Sequence, residues 1–407
     1  MKKAALWLAL GAIVFALNGY ADRAQAADPA FQQWLQSLWP DAQKIGVSRT
    51  TFDNATRGLE LDLTLPDLVI PGRSQTPPGQ AEFVQTPSDY LKETSLARLA
   101  TQGRKLATEH QATLTEIERQ FGVPGPILLA IWGRETAFGG YKLPHDAIRV
   151  LATQAYTGRR KELFRNEFIS ALKLLQDGVP RASLRSSWGG AMGLTQFLPS
   201  EYYKYAVDFD RDGRADIWTS IPDALASAAK QLAGKGWQRG EAWAYEVRVP
   251  QGADCTIAEP NVTAPISEWV KNGFTPMRRL ASAELSQSAS LLMPEGLQGP
   301  AFLTPKNYFV LKEYNFSDLY VLFVGNLSER IAGGGAFAAP WTRTSQLPTL
   351  QLEAMQRVLT EKGIYRDKID GKAGMKTRSA LGAYQKANGL PVDCWPSPSV
   401  IQHMRVR

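Results

Sequence analysis

Apolar residues recur with helical spacing between Ser95 and Phe121, at Leu96, Leu99, Leu106, Leu114, Ile117 and Phe121, with charged residues between them. Gly122 and Pro124 punctuate that stretch. A second helix is predicted from Pro124 or Pro126, through the apolar run Ile127–Trp132, to Gly139–Gly140, because proline is tolerated in a first turn. Further helical periods cover 161–176 and 222–236. Strand-like alternation is scarce, with 244–250 and 308–312 the best short candidates. Pro66, Pro71, Pro77, Pro78 and Pro87 predict an extended surface excursion over 64–88. The pattern therefore predicts a mainly α (α+β) large domain over 28–332.

From Gly333-Gly334-Gly335 to Leu347 the periodicity fades into small residues and Pro340, the composition of a linker over 333–347. Leu352, Met355 and Leu359 then share a helical face, Asp370-Gly371 marks a turn, Leu381 and Tyr384 open another helix, and Pro398 starts a short third one. Three helices over 348–407 make a small domain with a marginal core, better suited to binding than to a buried site. At the other end, Lys2-Lys3, the apolar run Ala4–Leu17 and Ala24-Gln25-Ala26 read as a cleavable export signal over 1–26. That run is short of the ~20 residues a permanent membrane helix needs, so no stable membrane anchor is expected.

Composition changes this picture in two ways. Lys plus Arg exceeds Asp plus Glu by 46 to 39, and the excess falls only from +7 to about +5 without the signal, which favours an acidic partner. With three His (His110, His145, His403) and two Cys (Cys255, Cys394), a multi-ligand zinc site and a Cys protease are poorly supplied. The cysteines lie in different predicted domains, and a bridge needs Cα atoms within about 7 Å, so two separate thiols are expected. No concentrated Lys/Arg stripe supports nucleic-acid binding.

Chemistry must then rest on carboxylates, hydroxyls and amides. In Ile131-Trp132-Gly133-Arg134-Glu135-Thr136-Ala137-Phe138-Gly139, a helix puts Glu135 on the face of Trp132, Ile131 and Leu128. A carboxyl group there loses hydration, which favours its protonated form, as a general acid requires. A buried structural Glu is the alternative from the motif alone. Arg134 points about 100° away and is not its obvious partner. In Ser187-Trp188-Gly189-Gly190-Ala191-Met192-Gly193-Leu194-Thr195-Gln196, the glycines allow close backbone approach, while Ser187 and Gln196 offer neutral hydrogen-bonding groups; a tight helix–helix crossing is the alternative from this stretch alone.

These two stretches, with Asp208-Phe209-Asp210-Arg211-Asp212-Gly213 and the later Tyr314-Asn315-Phe316-Ser317-Asp318-Leu319-Tyr320, resemble the membrane-bound lytic transglycosylase B family. The likeness runs in consistent order from about residue 30 to 331. It implies a goose-type lysozyme-like helical fold and cleavage of the MurNAc–GlcNAc bond of peptidoglycan in the periplasm. Glu135 matches the family's acid/base; Ser187, Gln196 and Asn315 match positions that contact the sugars or the acid. Tyr314 and Tyr320 match its aromatic positions near the cleft. Gln231 stands where the family often has a cleft Tyr, and this departs from the pattern. The implied mechanism needs a single carboxylate, because the MurNAc 6-hydroxyl serves as an internal nucleophile and a 1,6-anhydro end results. A muramidase-type hydrolase and a catalytically silent wall-binding scaffold are the alternatives.

Asp208, Asp210, Asp212, Gly213 and Asp216 hold positions 1, 3, 5, 6 and 9 of an EF-hand-like loop, but position 12 is Thr219. The resemblance implies a structural Ca²⁺ held by Asp208, Asp210, Asp212, the Arg214 carbonyl and Asp223, with a loop of Asx turns held without metal as the alternative; no cofactor is required for the reaction. Residues 349–405 resemble a peptidoglycan-binding domain, through Ile369-Asp370-Gly371-Lys372 and Tyr384-Gln385-Lys386-Ala387-Asn388-Gly389-Leu390. Peptidoglycan strands are the expected partner of a monomer, with other cell-wall enzymes as further candidates.

Overall fold

A computed structural model describes residues 28–72, 85–258, 262–342 and 347–405. The expected export signal, Pro77 and Pro78, and part of the expected linker lie outside the described residues. No helix among the described residues is long and apolar enough to cross a membrane.

The first core forms around the helix Gly125–Thr136, in which nine residues from Gly125 to Thr136 are buried. Pro124 leads into it, and it ends one turn before the predicted glycines because Ala137 and Phe138 take left-handed φ values of 50° and 57°. That conformation is costly for residues with a Cβ. It is held by the Thr136 hydroxyl, which donates to the Leu194 carbonyl at 2.8 Å and accepts from Gly139 N–H at 3.2 Å. The turn lays the Phe138 ring on Gly133, where a Cβ would come within 2.7 Å of it. Glu93–Glu109 and Gln111–Phe121 pack alongside; the continuous predicted period breaks at His110. Helix Asp318–Ile331 crosses the same core, its first turn capped by the Ser317 hydroxyl, which accepts from Leu319 and Tyr320 N–H.

A second core joins the N-terminal helices Pro29–Ser37, Trp39–Lys44 and Arg49–Thr56 to Ala147–Thr157 and Lys161–Gln176, the last as predicted. A third lies under an antiparallel five-stranded sheet with the spatial order Ala264–Pro265, Ser288–Leu292, Ala301–Thr304, Tyr245–Arg248, Thr275–Pro276. The candidate strand at 244–250 is present as Tyr245–Arg248. The candidate at 308–312 is instead part of the helix Lys306–Lys312: Tyr308, Val310 and Leu311 are all buried, and Asn307 bonds Gln238 N–H at 2.7 Å. A short apolar run reads alike in either conformation.

The C-terminal helices Thr349–Glu361, Met375–Ala387 and Pro398–His403 enclose a fourth core, and this domain is fastened to the rest. Cys255 and Cys394 form a disulfide with their Cα atoms 6.1 Å apart, which corrects the expectation of two separate thiols. The reason is tertiary: the loop after Met375–Ala387 descends onto the third core, where Leu297 N–H donates to the Asp393 carbonyl at 3.0 Å and Lys386 pairs with Asp254 at 2.8 Å. Gly382 leaves room for the Cys394 sulfur, which lies 2.4 Å from where its Cβ would sit. The described part of the expected linker is docked as well. Glu246 accepts from Ala338 and Ala339 N–H at 2.8 and 2.7 Å, and the Phe337 and Trp341 rings pack on Phe302.

Candidate active site

The end of Gly125–Thr136 opens into a cleft of about 270 Å³ between the first two cores, lined by Arg134, Glu135, Ser187, Gln196, Asn315 and Tyr320 among others. Its far wall is a two-stranded ribbon that pairs His145 with Ser186 and Asp146 with Arg185. Among the described residues that line the cleft, Glu135 is the sole carboxylate.

Glu135 is half-buried, and its Oε1 accepts from the Tyr320 hydroxyl at 2.6 Å. Burial holds the Tyr320 phenol well above its usual range, and the neighbouring Glu135 and Tyr314 add to this, so Tyr320 remains a proton-bearing donor. A donor to the charged form of an acid stabilises that form, here the one in which Glu135 would act as base. Arg134 lines the cleft too, but its guanidinium is engaged elsewhere: it donates to the Tyr90 hydroxyl at 2.9 Å and lies 4.6 Å from the Tyr90 ring centroid.

The glycine-rich stretch forms the cleft floor. Gly190 and Gly193 have φ values of 82° and 74°, and a Cβ at Gly193 would meet the Ile217 carbonyl at 2.7 Å. Only glycine satisfies both demands. Ser187 Oγ accepts from Ala191 N–H at 3.3 Å, and Gln196, itself left-handed at 61°, donates its amide to the Gly193 carbonyl at 3.0 Å. Asn315 Oδ1 accepts from Ser317 N–H at 3.0 Å, fixing the bend before the helix that carries Tyr320.

Tyr314 lies behind the cleft wall. It is not among the lining residues; its ring stacks behind Tyr320 at 6.4 Å, and its hydroxyl donates to the Thr195 carbonyl. It buttresses Tyr320 and ties it to the floor. Gln231 is buried and donates to Glu201 at 2.8 Å, away from the cleft. Tyr141, Leu143, Pro144, His145 and Trp188 also line the cleft, though sequence reasoning gave them no role. Their one sequence signal is proximity: the first four follow the turn after Glu135, and Trp188 sits inside the glycine-rich motif.

In the acidic loop, carboxylate oxygens of Asp208, Asp210 and Asp212 lie within 4.8 Å of one another and are exposed. This fits an oxygen-ligand site for a hard cation. Asp223 does not join them. It is buried, and its carboxylate accepts from Phe209, Asp210 and Asp216 N–H at 2.8, 3.2 and 2.8 Å, which makes it the anchor of the loop.

Comparison with known proteins places this geometry. The family described as Transglycosylase SLT domain matches residues 30–329, and that described as Putative peptidoglycan binding domain matches 350–404. Membrane-bound lytic murein transglycosylase B of Escherichia coli is 27% identical over 318 residues, covering 75% of this chain and 84% of the relative. The structure of SltB3 from Pseudomonas aeruginosa with NAG-NAM-pentapeptide superposes with a TM-score of 0.82 at 36% identity, covering 92% of this chain and 99% of that one. SltB3 has also been solved with NAG-anhNAM-pentapeptide, matching at a TM-score of 0.80 and 35% identity over the same shares of both chains. Escherichia coli Slt35 in complex with calcium gives 0.58 at 25% identity, over 75% and 93% of the respective chains.

Proposed function

This chain belongs to the transglycosylase SLT family, and from that premise we propose that its cleft cuts the MurNAc–GlcNAc β-1,4 bond of peptidoglycan with Glu135 acting first as acid, then as base. It is a peptidoglycan lytic transglycosylase. The protonated Glu135 carboxyl donates to the glycosidic oxygen, the C1–O bond breaks, and the GlcNAc-bearing fragment leaves. The MurNAc 6-hydroxyl then attacks C1 of its own sugar, and its proton passes to the Glu135 carboxylate. A 1,6-anhydro end forms, and the acid is restored.

The observation that carries this reading is the solitary carboxylate. Ordinary glycosidases use two, one of them to attack C1 or to activate water. An internal hydroxyl held close to C1 takes over that role and brings the rate advantage of proximity. Tyr320 supports the base half of the cycle through its bond to Glu135 Oε1. Ser187, Gln196 and Asn315 face the sugars with polar groups partly committed to their own loops, so they are presented in fixed orientations.

The reading extends to the setting. Residues 1–26 direct export to the periplasm, where the signal is removed. The C-terminal domain holds glycan strands beside the cleft. A calcium ion, where bound, sits on Asp208, Asp210 and Asp212 with the Arg214 carbonyl and has a structural role. The decisive experiment digests purified sacculi with the mature protein and its Glu135→Gln variant and weighs the muropeptides. Anhydro-ended fragments from the mature protein alone are expected. Products heavier by one water would instead identify a hydrolase, and intact sacculi would identify a scaffold.

A further inference from the structure

The helix that presents Tyr320 begins at Asp318, and Asp318 sits on the seam between the catalytic and C-terminal domains. Its Oδ1 accepts from the Tyr308 hydroxyl at 2.7 Å and from Lys312 Nζ at 2.6 Å, both on the neighbouring helix Lys306–Lys312. Its Oδ2 faces Arg378 Nη2 at 3.3 Å, and Arg378 belongs to the C-terminal helix Met375–Ala387. The Asp318 and Arg378 side chains are only 11% and 9% exposed. Arg378 is itself fixed, since Nη1 donates to the Ala373 carbonyl at 2.7 Å, and Met375, one turn earlier, packs into the first core.

Two cations therefore converge on one buried carboxylate from opposite domains. Removing Arg378 leaves Asp318 neutralised by Lys312 but takes away the cation that faces Oδ2, so the carboxylate is drawn from one side only, toward Lys312 and Tyr308 on Oδ1, and turns that way. Asp318 is three residues after Asn315 and two before Tyr320, and Ser317 between them caps the helix. A shift of this first turn is passed directly to both cleft residues. The Tyr320 hydroxyl has little tolerance, because its bond to Glu135 is 2.6 Å long.

We propose that Arg378, a residue of the wall-binding domain, is a positioning residue for the reaction: through Asp318 it sets the first turn that places Tyr320 and Asn315 against Glu135. The C-terminal domain is then part of the catalytic apparatus, in addition to any role as an anchor. The inference rests on the proposed reaction at Glu135.

The test uses the full mature chain and a soluble GlcNAc–MurNAc tetrasaccharide, too short to need wall anchoring. Arg378→Met is expected to lower kcat about tenfold while KM and sacculus pull-down stay within twofold, and Arg378→Lys is expected to restore at least half of the rate. In combination with Tyr320→Phe, the loss should be well below the product of the two single losses, because both changes act through the Tyr320–Glu135 contact. A kcat within twofold of the parent in folded Arg378→Met, a change in KM alone, or losses that multiply in the double variant would each overturn the proposal. If Arg378→Met does not fold, Arg378→Gln, which retains a donor for the Ala373 carbonyl, is read by the same criteria. Failure of the parent chain to release anhydro ends would instead sink the reaction itself, so the two outcomes are distinguishable.

Discussion

Gln356 in the C-terminal domain and Glu135 in the cleft are both polar side chains withdrawn at least in part from solvent, but their regions use them differently. Gln356 is fully buried and spends its amide on its own domain: Oε1 accepts from Asp370 and Gly371 N–H at 3.0 and 2.8 Å, and Nε2 lies within bonding distance of Asp370 Oδ1, the Lys372 carbonyl and Thr377 Oγ1. Gln385 does the same for the loop bearing Cys394, accepting from Cys394 N–H at 2.9 Å. In the cleft, Glu135 is half-buried on an open cavity. A small domain with little core uses polar hubs to fix its loops, whereas the cleft leaves the Glu135 carboxyl facing an open cavity, as the proposed acid requires. Burial alone does not separate these roles. Glu167 shows why: burial pushes its carboxyl up, as for a general acid, yet both its oxygens are engaged by Ser200.

The comparison breaks first if Glu135 can be replaced cheaply. Glu135→Gln keeps the shape and removes the transferable proton, so release of anhydro fragments from sacculi should fall on the order of 10³-fold. The thermal midpoint should hardly move, because no buried hub is lost. Gln356→Leu should show the opposite profile. It strands several buried partners, and at ~1–3 kcal/mol for each unsatisfied group the C-terminal domain should lose about 3 kcal/mol. Denaturant unfolding would reveal an early transition, with sacculus binding lost in step; a variant as stable as the parent would remove the contrast.

Acid should also distinguish the regions, through the seam between them. Lys312 and Arg378 hold Asp318 down at about 2, against burial and below its ordinary 3.8. A carboxyl depressed in the folded state contributes stability that is complete above its unfolded value and fades as pH falls toward the folded one. Between about pH 4 and pH 2 the seam should therefore lose about 2 kcal/mol. Stability curves for the parent and Asp318→Asn should converge in that window, and parallel curves would refute the account. Tyr320→Phe is milder: it deletes one hydrogen bond to a carboxylate and should lower the rate on a short glycan about tenfold, roughly 1.4 kcal/mol. An unchanged rate would reduce Tyr320 to packing.

What the sequence made legible followed from local rules. Helices such as Lys161–Gln176 are set by a period of 3.6, and Glu135 is marked by its apolar helix face. The cleft residues Ser187, Gln196, Asn315 and Tyr320 came from motif resemblance, and the structure gathers them at one opening. What escaped was decided at long range. The Cys255–Cys394 bridge depends on how two domains dock. Tyr314 and Tyr320 look equivalent along the chain, but only the packing of one ring behind the other separates buttress from cleft wall. Tyr141 and His145 carry no spacing signal, because a ribbon paired with Arg185–Ser186 brings that segment to the cleft.

The acidic loop lies between the two extremes and gives the smallest effect. Its carboxylates are exposed and convergent, as a ligand site requires, yet they already receive donors: Asp208 Oδ1 and Oδ2 from Asp212 and Gly213 N–H at 3.1 and 3.0 Å, and Asp210 Oδ2 from the Ser220 hydroxyl at 2.7 Å. Buried Asp223 holds the loop backbone from beneath, so the fold does not wait for a cation. Thr219 at the twelfth position spends its hydroxyl on Asp216 and supplies no bidentate carboxylate. A site of that kind binds in the weak, roughly millimolar range, where 1 mM calcium at a comparable Kd stabilises by only ~0.4 kcal/mol. Calorimetry with and without chelator should show a shift of about 1 °C or less, abolished in Asp210→Asn, with the cleavage rate unchanged. A shift of many degrees would mean that the loop, like the Gln356 hub, is a required part of the fold and that calcium completes it.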